Sequence, residues 1–166
     1  MGPRLSPGKG ESSGTSSAAC VDMMRTLRVA DVMTAKPISI PPSLTVRDAL
    51  AIFETLEIRH LPVVDEQQRL IGMVSERDLH SFYAPRQSLA LEAVALARRA
   101  LDGPVSSVMV ATPLSIEEAA PLDAAIRKII DAHLSALPVV REGTLVGVLS
   151  FVDLARCLSN VIREKS

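Results

Sequence analysis

Residues 61–79 read LPVVDEQQRLIGMVSERDL, and residues 137–154 read LPVVREGTLVGVLSFVDL. In each stretch two apolar runs flank a polar segment, and the second run ends at a serine with an aspartate three residues on. Short continuous apolar runs are what strands covered on both faces require. The copies lie 76 positions apart before the polar segment and 75 after it. That slip falls where Asp65-Glu-Gln-Gln-Arg69 faces Arg141-Glu-Gly-Thr144, so the polar segment reads as a hairpin turn, which tolerates a change of length.

The repeat extends outward on both sides. Val29-Ala-Asp-Val-Met33 returns as Val105-Ser-Ser-Val-Met109, and Pro37-Ile-Ser-Ile40 as Pro113-Leu-Ser-Ile116. The first unit predicts a short strand at Ile38–Ile40 and a helix with Val46, Leu50 and Phe53 on one face. The second predicts a strand at Leu114–Ile116 and a helix with Leu122, Ile126 and Ile129 on one face. A second helix opens at Ser75 in one copy and Ser150 in the other. Each unit is then strand–helix–strand–strand–helix, an α/β (α+β) pattern too small to bury its sheet alone, so the two pack sheet to sheet. The expected divisions are a disordered tail over 1–24, repeat one over 25–83, a connecting helix within 84–103 and repeat two over 104–163. Ser88–Leu101 is the helical part of the connector, stopped by Gly103-Pro104. It reads as a packing helix, with a docking or dimer surface as the alternative.

Composition narrows the function. Hydrophobic residues at 48% supply a core, while a formal charge of −1 leaves no basic surface for nucleic acid. No run is apolar for long enough to span a membrane. Cys20 and Cys157 show no metal or disulfide spacing, which fits a reducing, cytoplasmic setting. His60, His80 and His133 are far apart, so no metal site is expected; His60 and His133 read as structural, and the methionines as core fillers. Gly2 and Ser6 match a myristoylation pattern formally, with Pro3 against it.

Chemistry concentrates where strand gives way to helix, at Gly72-Met-Val-Ser75-Glu-Arg-Asp78 and Gly147-Val-Leu-Ser150-Phe-Val-Asp153. A helix start leaves backbone N–H groups unpaired and favours an anion such as phosphate. The serine hydroxyl adds a hydrogen bond, and the aspartate can accept two from a vicinal diol such as that of ribose. The plainer reading is a capping box, in which serine and acid satisfy their own helix start.

The order Val-Met-Thr-x-x-Pro-Ile-x-Ile, His-Leu-Pro-Val-Val-Asp and Gly-x-Val-Ser-x-x-Asp-Leu resembles a cystathionine β-synthase (CBS) domain, and it occurs twice, over about 28–80 and 104–155. The resemblance implies a pseudo-twofold pair with two clefts that take AMP, ADP, ATP or another adenosyl ligand and regulate an associated protein. It assigns Asp78, Ser75, Arg77 and Met73 to one cleft, faced by Thr112, Leu114 and Ser115. It assigns Asp153, Ser150 and Val148 to the other, faced by Thr34, Pro37, Ile38 and Ile58. Arg59 and its counterpart Ser135 lie at the boundary. The second motif has Phe151 and Val152 where the first has Glu76 and Arg77, so it lacks a neighbouring cation unless Lys36 or Arg59 supplies one. With 2% aromatics, aliphatic packing and backbone hydrogen bonds would hold the adenine.

The resemblance further implies a homodimer, an unidentified regulated partner, no required cofactor and no catalytic step. The alternatives are a degenerate pair serving only as a dimerisation scaffold, and a sensor of S-adenosylmethionine, NAD or a metal. An enzyme ranks last, because no nucleophile–base pair or phosphate-binding glycine loop is present in the sequence.

Overall fold

Both Leu-Pro-Val-Val runs form strands, and the polar segments between the apolar runs are hairpin turns. The computed structural model describes residues 26–83 and 91–163; the expected tail over 1–24 and the first part of the connector, 84–90, lie outside the described residues. The first repeat contains α1 (Val29–Val32), β1 (Thr34–Ala35), α2 (Val46–Leu56), β2 (His60–Val64), β3 (Leu70–Ser75) and α3 (Glu76–Tyr83). The connector helix α4 (Leu91–Asp102) follows. The second repeat has a helical turn at Val105–Ser107, then β4 (Val110–Ala111), β5 (Ile116–Glu117), α5 (Leu122–Asp131), β6 (Ala136–Arg141), β7 (Thr144–Ser150) and α6 (Phe151–Arg163).

The hairpins explain the slip in the repeat. In the longer turn Asp65 Oδ1 accepts from the amides of Gln67 (3.0 Å) and Arg69 (2.8 Å), an Asx turn that replaces ladder bonds. The shorter turn bends at Glu142 and Gly143, both at positive φ (52° and 82°), as a tight two-residue hairpin needs. Each hairpin carries an irregularity at the same place, between Val63 and Val64 and between Val139 and Val140.

The sheets are not drawn from one repeat each. β1 pairs with β7, Thr34 opposite Val148, and β4 pairs with β3, Val110 opposite Met73, so each repeat lends its leading strand to the other's hairpin. The sheets therefore run β1-β7-β6-β5 and β2-β3-β4. Isolated bridges repeat the exchange, Thr45 with Pro104 and Arg28 with Pro121, while Arg69 with Thr144 joins the two hairpins near the pseudo-twofold axis. The exchange accounts for the recurring Val-Met and Gly-x-Val/Leu motifs. A Cβ on Gly147 would lie 2.3 Å from Met33 Sδ, and one on Gly72 2.3 Å from Met109 Sδ, so each methionine occupies space that only glycine leaves.

Two cores result, each capped by the other repeat. Val46, Ala49, Phe53, Leu61, Val63, Val74 and Leu79 form one with Val105 from the second repeat. Leu122, Ala125, Ile129, Leu137, Val139 and Leu149 form the other with Val29 from the first. The expected helix faces shift slightly: Ala49 and Ala125 are buried, whereas Leu50 and Ile126 pack at the core edges. Leu101 of α4 packs on the first core, and the carbonyl of Gly103 accepts from Val46 N at 2.9 Å, so α4 acts as a packing helix.

The strands expected at Ile38–Ile40 and Leu114–Ile116 are shorter than predicted. Ile40 makes only an isolated bridge to Val63, and the second is confined to Ile116–Glu117. Lys36 and Thr112 turn the chain at positive φ (51° and 46°), and the prolines after them have no N–H to donate. Ile38 and Leu114 are left 46% and 51% exposed at the rim of a cleft. The helices expected to open at Ser75 and Ser150 begin one residue later, each serine being the last residue of its strand. The connector helix, expected from Ser88, is described from Leu91.

Candidate functional site

One continuous cleft of about 1380 Å³ lies between the repeats and receives both helix starts, α3 and α6, where two separate clefts were expected. Its floor holds Met73, Ala136 and Val148, which pack together across the pseudo-twofold axis. Its lips are the left-handed turns at Lys36 and Thr112. A β-branched residue at positive φ is strained by about 1–3 kcal/mol, and such strain is held only where the surrounding structure over-determines it. The amide of Thr112 donates to Ile71 O (3.1 Å) and that of Lys36 to Val146 O (3.0 Å), which fixes both lips to the partner hairpins.

At the first helix mouth Asp78 is exposed to the cleft. Ser75 Oγ donates to Asp78 Oδ2 at 2.5 Å, and Asp78 N donates to Ser75 Oγ at 3.1 Å. Arg59 pairs with Glu76 beside it, both side chains facing the cleft. His60 enters from β2 and shares a 2.8 Å hydrogen bond with Ser135 Oγ of the other repeat. Burial holds the His60 imidazole below its ordinary range, against the opposite pull of the Asp78 carboxylate.

The second mouth is built from the same backbone with different contacts. Asp153 is 6% exposed and is the one buried polar or charged side chain among the described residues. Its Oδ2 accepts from Ser150 N (2.8 Å) and Ser150 Oγ (2.6 Å). Its Oδ1 accepts from Thr34 Oγ1 (2.9 Å), which lies in the first repeat, and from Arg156 Nη1 (3.4 Å). Asp153 thus serves as a capping-box acid, accepting from the cap amide, while Asp78 accepts from the hydroxyl of Ser75, and both line the cleft.

Sixteen of the seventeen residues singled out from sequence line this cleft: Thr34, Lys36, Pro37, Ile38, Ile58, Arg59, Met73, Ser75, Arg77, Asp78, Thr112, Leu114, Ser135, Val148, Ser150 and Asp153. Ser115 does not, because its segment turns into the sheet and its carbonyl accepts from Lys128 Nζ at 2.7 Å. The expectation that the second motif lacks a cation is corrected by Arg156, one helical turn past Asp153. Arg59 does not fill that role, since Glu76 of its own repeat takes its guanidinium. Phe151, 53% exposed, gives the cleft an aromatic face where only aliphatic packing was expected. His60 and His133, read as structural, both face the cleft. The signal for His60 was its place directly before Leu-Pro-Val-Val, opposite Ser75 in the hairpin; for Arg156 it was the spacing of one helical turn from the motif aspartate.

Among the described residues no group of three or more His, Cys, Asp or Glu is arranged to hold a metal ion, and no helix is long and apolar enough to cross a membrane. The family model for the CBS domain matches residues 29–84 and again 105–160. The CBS domain-containing protein YhcV of Bacillus subtilis is 31% identical over 129 residues, 76% of this chain and 82% of that protein. The crystal structure of CBSX2 in complex with AMP, a protein of Arabidopsis thaliana, superposes with a TM-score of 0.68 at 28% identity, covering 81% of this chain and 97% of that one. The CBS domain pair of MJ0100 in complex with 5′-methylthioadenosine and S-adenosyl-L-methionine superposes with a TM-score of 0.63 at 25% identity, covering 80% and 99%.

Proposed function

The chain belongs to the CBS domain family, and on that premise we propose that it is a regulatory ligand-sensing module whose central cleft takes an adenine nucleotide, AMP, ADP or ATP. The observation that carries this reading is the meeting of two Ser-x-x-Asp helix starts, one from each repeat, in a single cleft of about 1380 Å³. The amides at a helix start attract a phosphate, the aspartate accepts a ribose diol, and the floor of Met73, Ala136 and Val148 gives the purine an apolar seat. The AMP complex of CBSX2 supports the nucleotide, and the MJ0100 complex widens the class to adenosyl ligands in general. In this reading the chain catalyses nothing. It acts in the cytoplasm as a homodimer, and ligand occupancy alters its contact with a separate regulated protein.

A second reading, a dimerisation scaffold without ligand, draws on the capping hydrogen bonds of both aspartates. Thermal unfolding with AMP, ADP, ATP, S-adenosylmethionine and NAD separates the two. A ligand of the folded state adds about 2.7 kcal/mol at a hundred times its Kd, and at least one of the five should raise Tm with rising concentration. A flat response to all five removes the sensor reading and leaves the scaffold.

A further inference from the structure

We propose that Glu76 sets how many phosphates the ligand carries: it neutralises Arg59 at the first mouth, leaves the cleft without net charge, and so selects a nucleoside monophosphate over a di- or triphosphate. The inference rests on the reading of the cleft as an adenosyl site and narrows the ligand within that class.

The two histidines apart, four cationic side chains line the cleft, Lys36, Arg59, Arg77 and Arg156, against the four carboxylates of Glu57, Glu76, Asp78 and Asp153. Two of the cations are matched where they stand. Arg59 pairs with Glu76, and the amide of Glu76 donates to the carbonyl of Arg59 at 3.1 Å, so backbone and side chain hold the two residues together. Arg156 lies 3.4 Å from Asp153, whose carboxylate is fixed by Ser150 and Thr34. Among the described residues no carboxylate pairs with Lys36 or Arg77. These two belong to different mouths: Arg77 follows Glu76 on α3, while Lys36 follows β1, whose Thr34 bonds to Asp153. Each mouth therefore presents one cation to a phosphate.

A monophosphate carries about −1.5 to −2 at pH 7, and each further phosphate adds roughly one more negative charge. The helix starts do little for that addition. At α3 the amides of Glu76 and Asp78 are taken by Arg59 O and Ser75 Oγ, and at α6 those of Phe151 and Asp153 by Ser135 O and Ser150 Oγ. The Arg59 side chain is 74% exposed, so its ion pair is weak in itself. A polyphosphate that draws Arg59 away nevertheless leaves Glu76 beside it, and that carboxylate opposes the added charge. Discrimination then comes from a repulsive group as much as from an attractive one. The second repeat has Ser135 and Phe151 at the positions of Arg59 and Glu76, so the pair belongs to the first mouth alone.

Isothermal titration of the full chain with AMP, ADP and ATP in magnesium-free buffer tests this. AMP should bind at least about tenfold more tightly than ATP, with ADP between them. Glu76→Gln should reduce that ratio at least about threefold by strengthening ATP, and Arg59→Gln, which leaves Glu76 unmatched, should widen it. ATP as tight as AMP, or tighter, in the unsubstituted chain overturns the inference, and that measurement stands even where a variant does not fold. A ratio that Glu76→Gln leaves unchanged overturns the role of the glutamate. Binding of S-adenosylmethionine or NAD with none of the three nucleotides overturns the inference while leaving the adenosyl reading intact. Silence toward all five removes the adenosyl reading itself, and this assignment with it.

Discussion

The two repeats agree where they hold each other and differ where they face the cleft. Lys36 and Thr112 share a left-handed backbone, as do Glu57 and His133, and Met33 covers Gly147 as Met109 covers Gly72. Each of these features belongs to the reciprocal exchange of leading strands, so a change in one copy disturbs the partner's sheet. Cleft side chains are not tied in such reciprocal pairs: Thr34 bonds to Asp153 and His60 to Ser135, and their counterparts Val110 and Ala136 cannot repeat either bond. Glu76 stands opposite Phe151 in the repeat, Arg59 opposite Ser135, and His60 opposite Ala136. Duplication therefore preserved the frame of two sites, and side-chain divergence made them different sites.

The sharpest contrast lies between the two aspartates. Asp153→Ala removes a buried carboxylate that accepts from a backbone amide and two hydroxyls, one of them in the other repeat. Hydrogen bonds to a charged group contribute about 1.5–3 kcal/mol and are not additive, so a loss of about 2–3 kcal/mol is expected. Arg156 is largely exposed and keeps its hydration, which prevents a larger penalty. Asp78→Ala removes an exposed first-turn carboxylate and leaves the Ser75 cap in place, for which about 0.3–1 kcal/mol is expected. Urea unfolding of both variants measures the difference. Equal losses would mean that the hydrogen bond from Thr34 to Asp153 contributes nothing to holding the repeats together.

The glycine pair gives a smaller and more symmetrical test. Alanine at Gly72 or Gly147 puts a methyl where a methionine sulfur now lies, and overpacking of this kind costs about 1–3 kcal/mol. Met109 and Met33 are flexible and can shift part of the way. At Gly147 the added carbon also meets the carbonyl oxygen of Thr34 at 3.2 Å, and backbone in a paired strand does not move aside. Gly147→Ala should therefore be the more damaging, by roughly 1 kcal/mol within that range. The same unfolding measurement decides it, and the reverse order would show that β1 yields more readily than β4.

Much of the frame is legible in sequence because it is written twice. A displacement of 76 that becomes 75 locates a turn, and the two hairpins, the four long helices and the Ser-x-x-Asp helix starts follow from apolar period and spacing. The exchange of leading strands is not legible. β1 and β4 are two residues each, and nothing in Thr34-Ala35 or Val110-Ala111 announces pairing with the other repeat. Ser115 lies outside the cleft lining because one residue of register decides whether a side chain faces the cleft or the sheet. Arg156 is not legible from the motif because it lies one helical turn beyond Asp153, outside the Ser-x-x-Asp spacing.

The mildest contrast is set by pH and belongs to one half alone. His60 has Ala136 as its counterpart, so only the first repeat places an imidazole in the cleft at this position. Burial lowers its pKa from 6.5, and Asp78 opposes that shift without cancelling it. Between the lowered folded value and 6.5 the unfolded chain binds more protons than the folded one, so stability rises with pH across that window. The full contribution is present above 6.5 and is lost as pH falls through the window. The groups shown to act on the ring are the Asp78 carboxylate and the Ser135 hydroxyl, and the charged groups that line the cleft around the same mouth are Arg77 and the Arg59–Glu76 pair. Carboxylates shifted elsewhere titrate lower; among the described residues Glu118, paired with Arg141, is lowered further below its usual range and adds its slope in acid. His60→Ala makes the first position match the second. Unfolding free energies followed from neutral pH down to about pH 5 should then lose the part of their slope nearest 6.5 and keep the rest. A slope unchanged by that substitution would mean that the ring takes up its proton as readily in the cleft as in water, and that the bond to Ser135 reorganises at no cost.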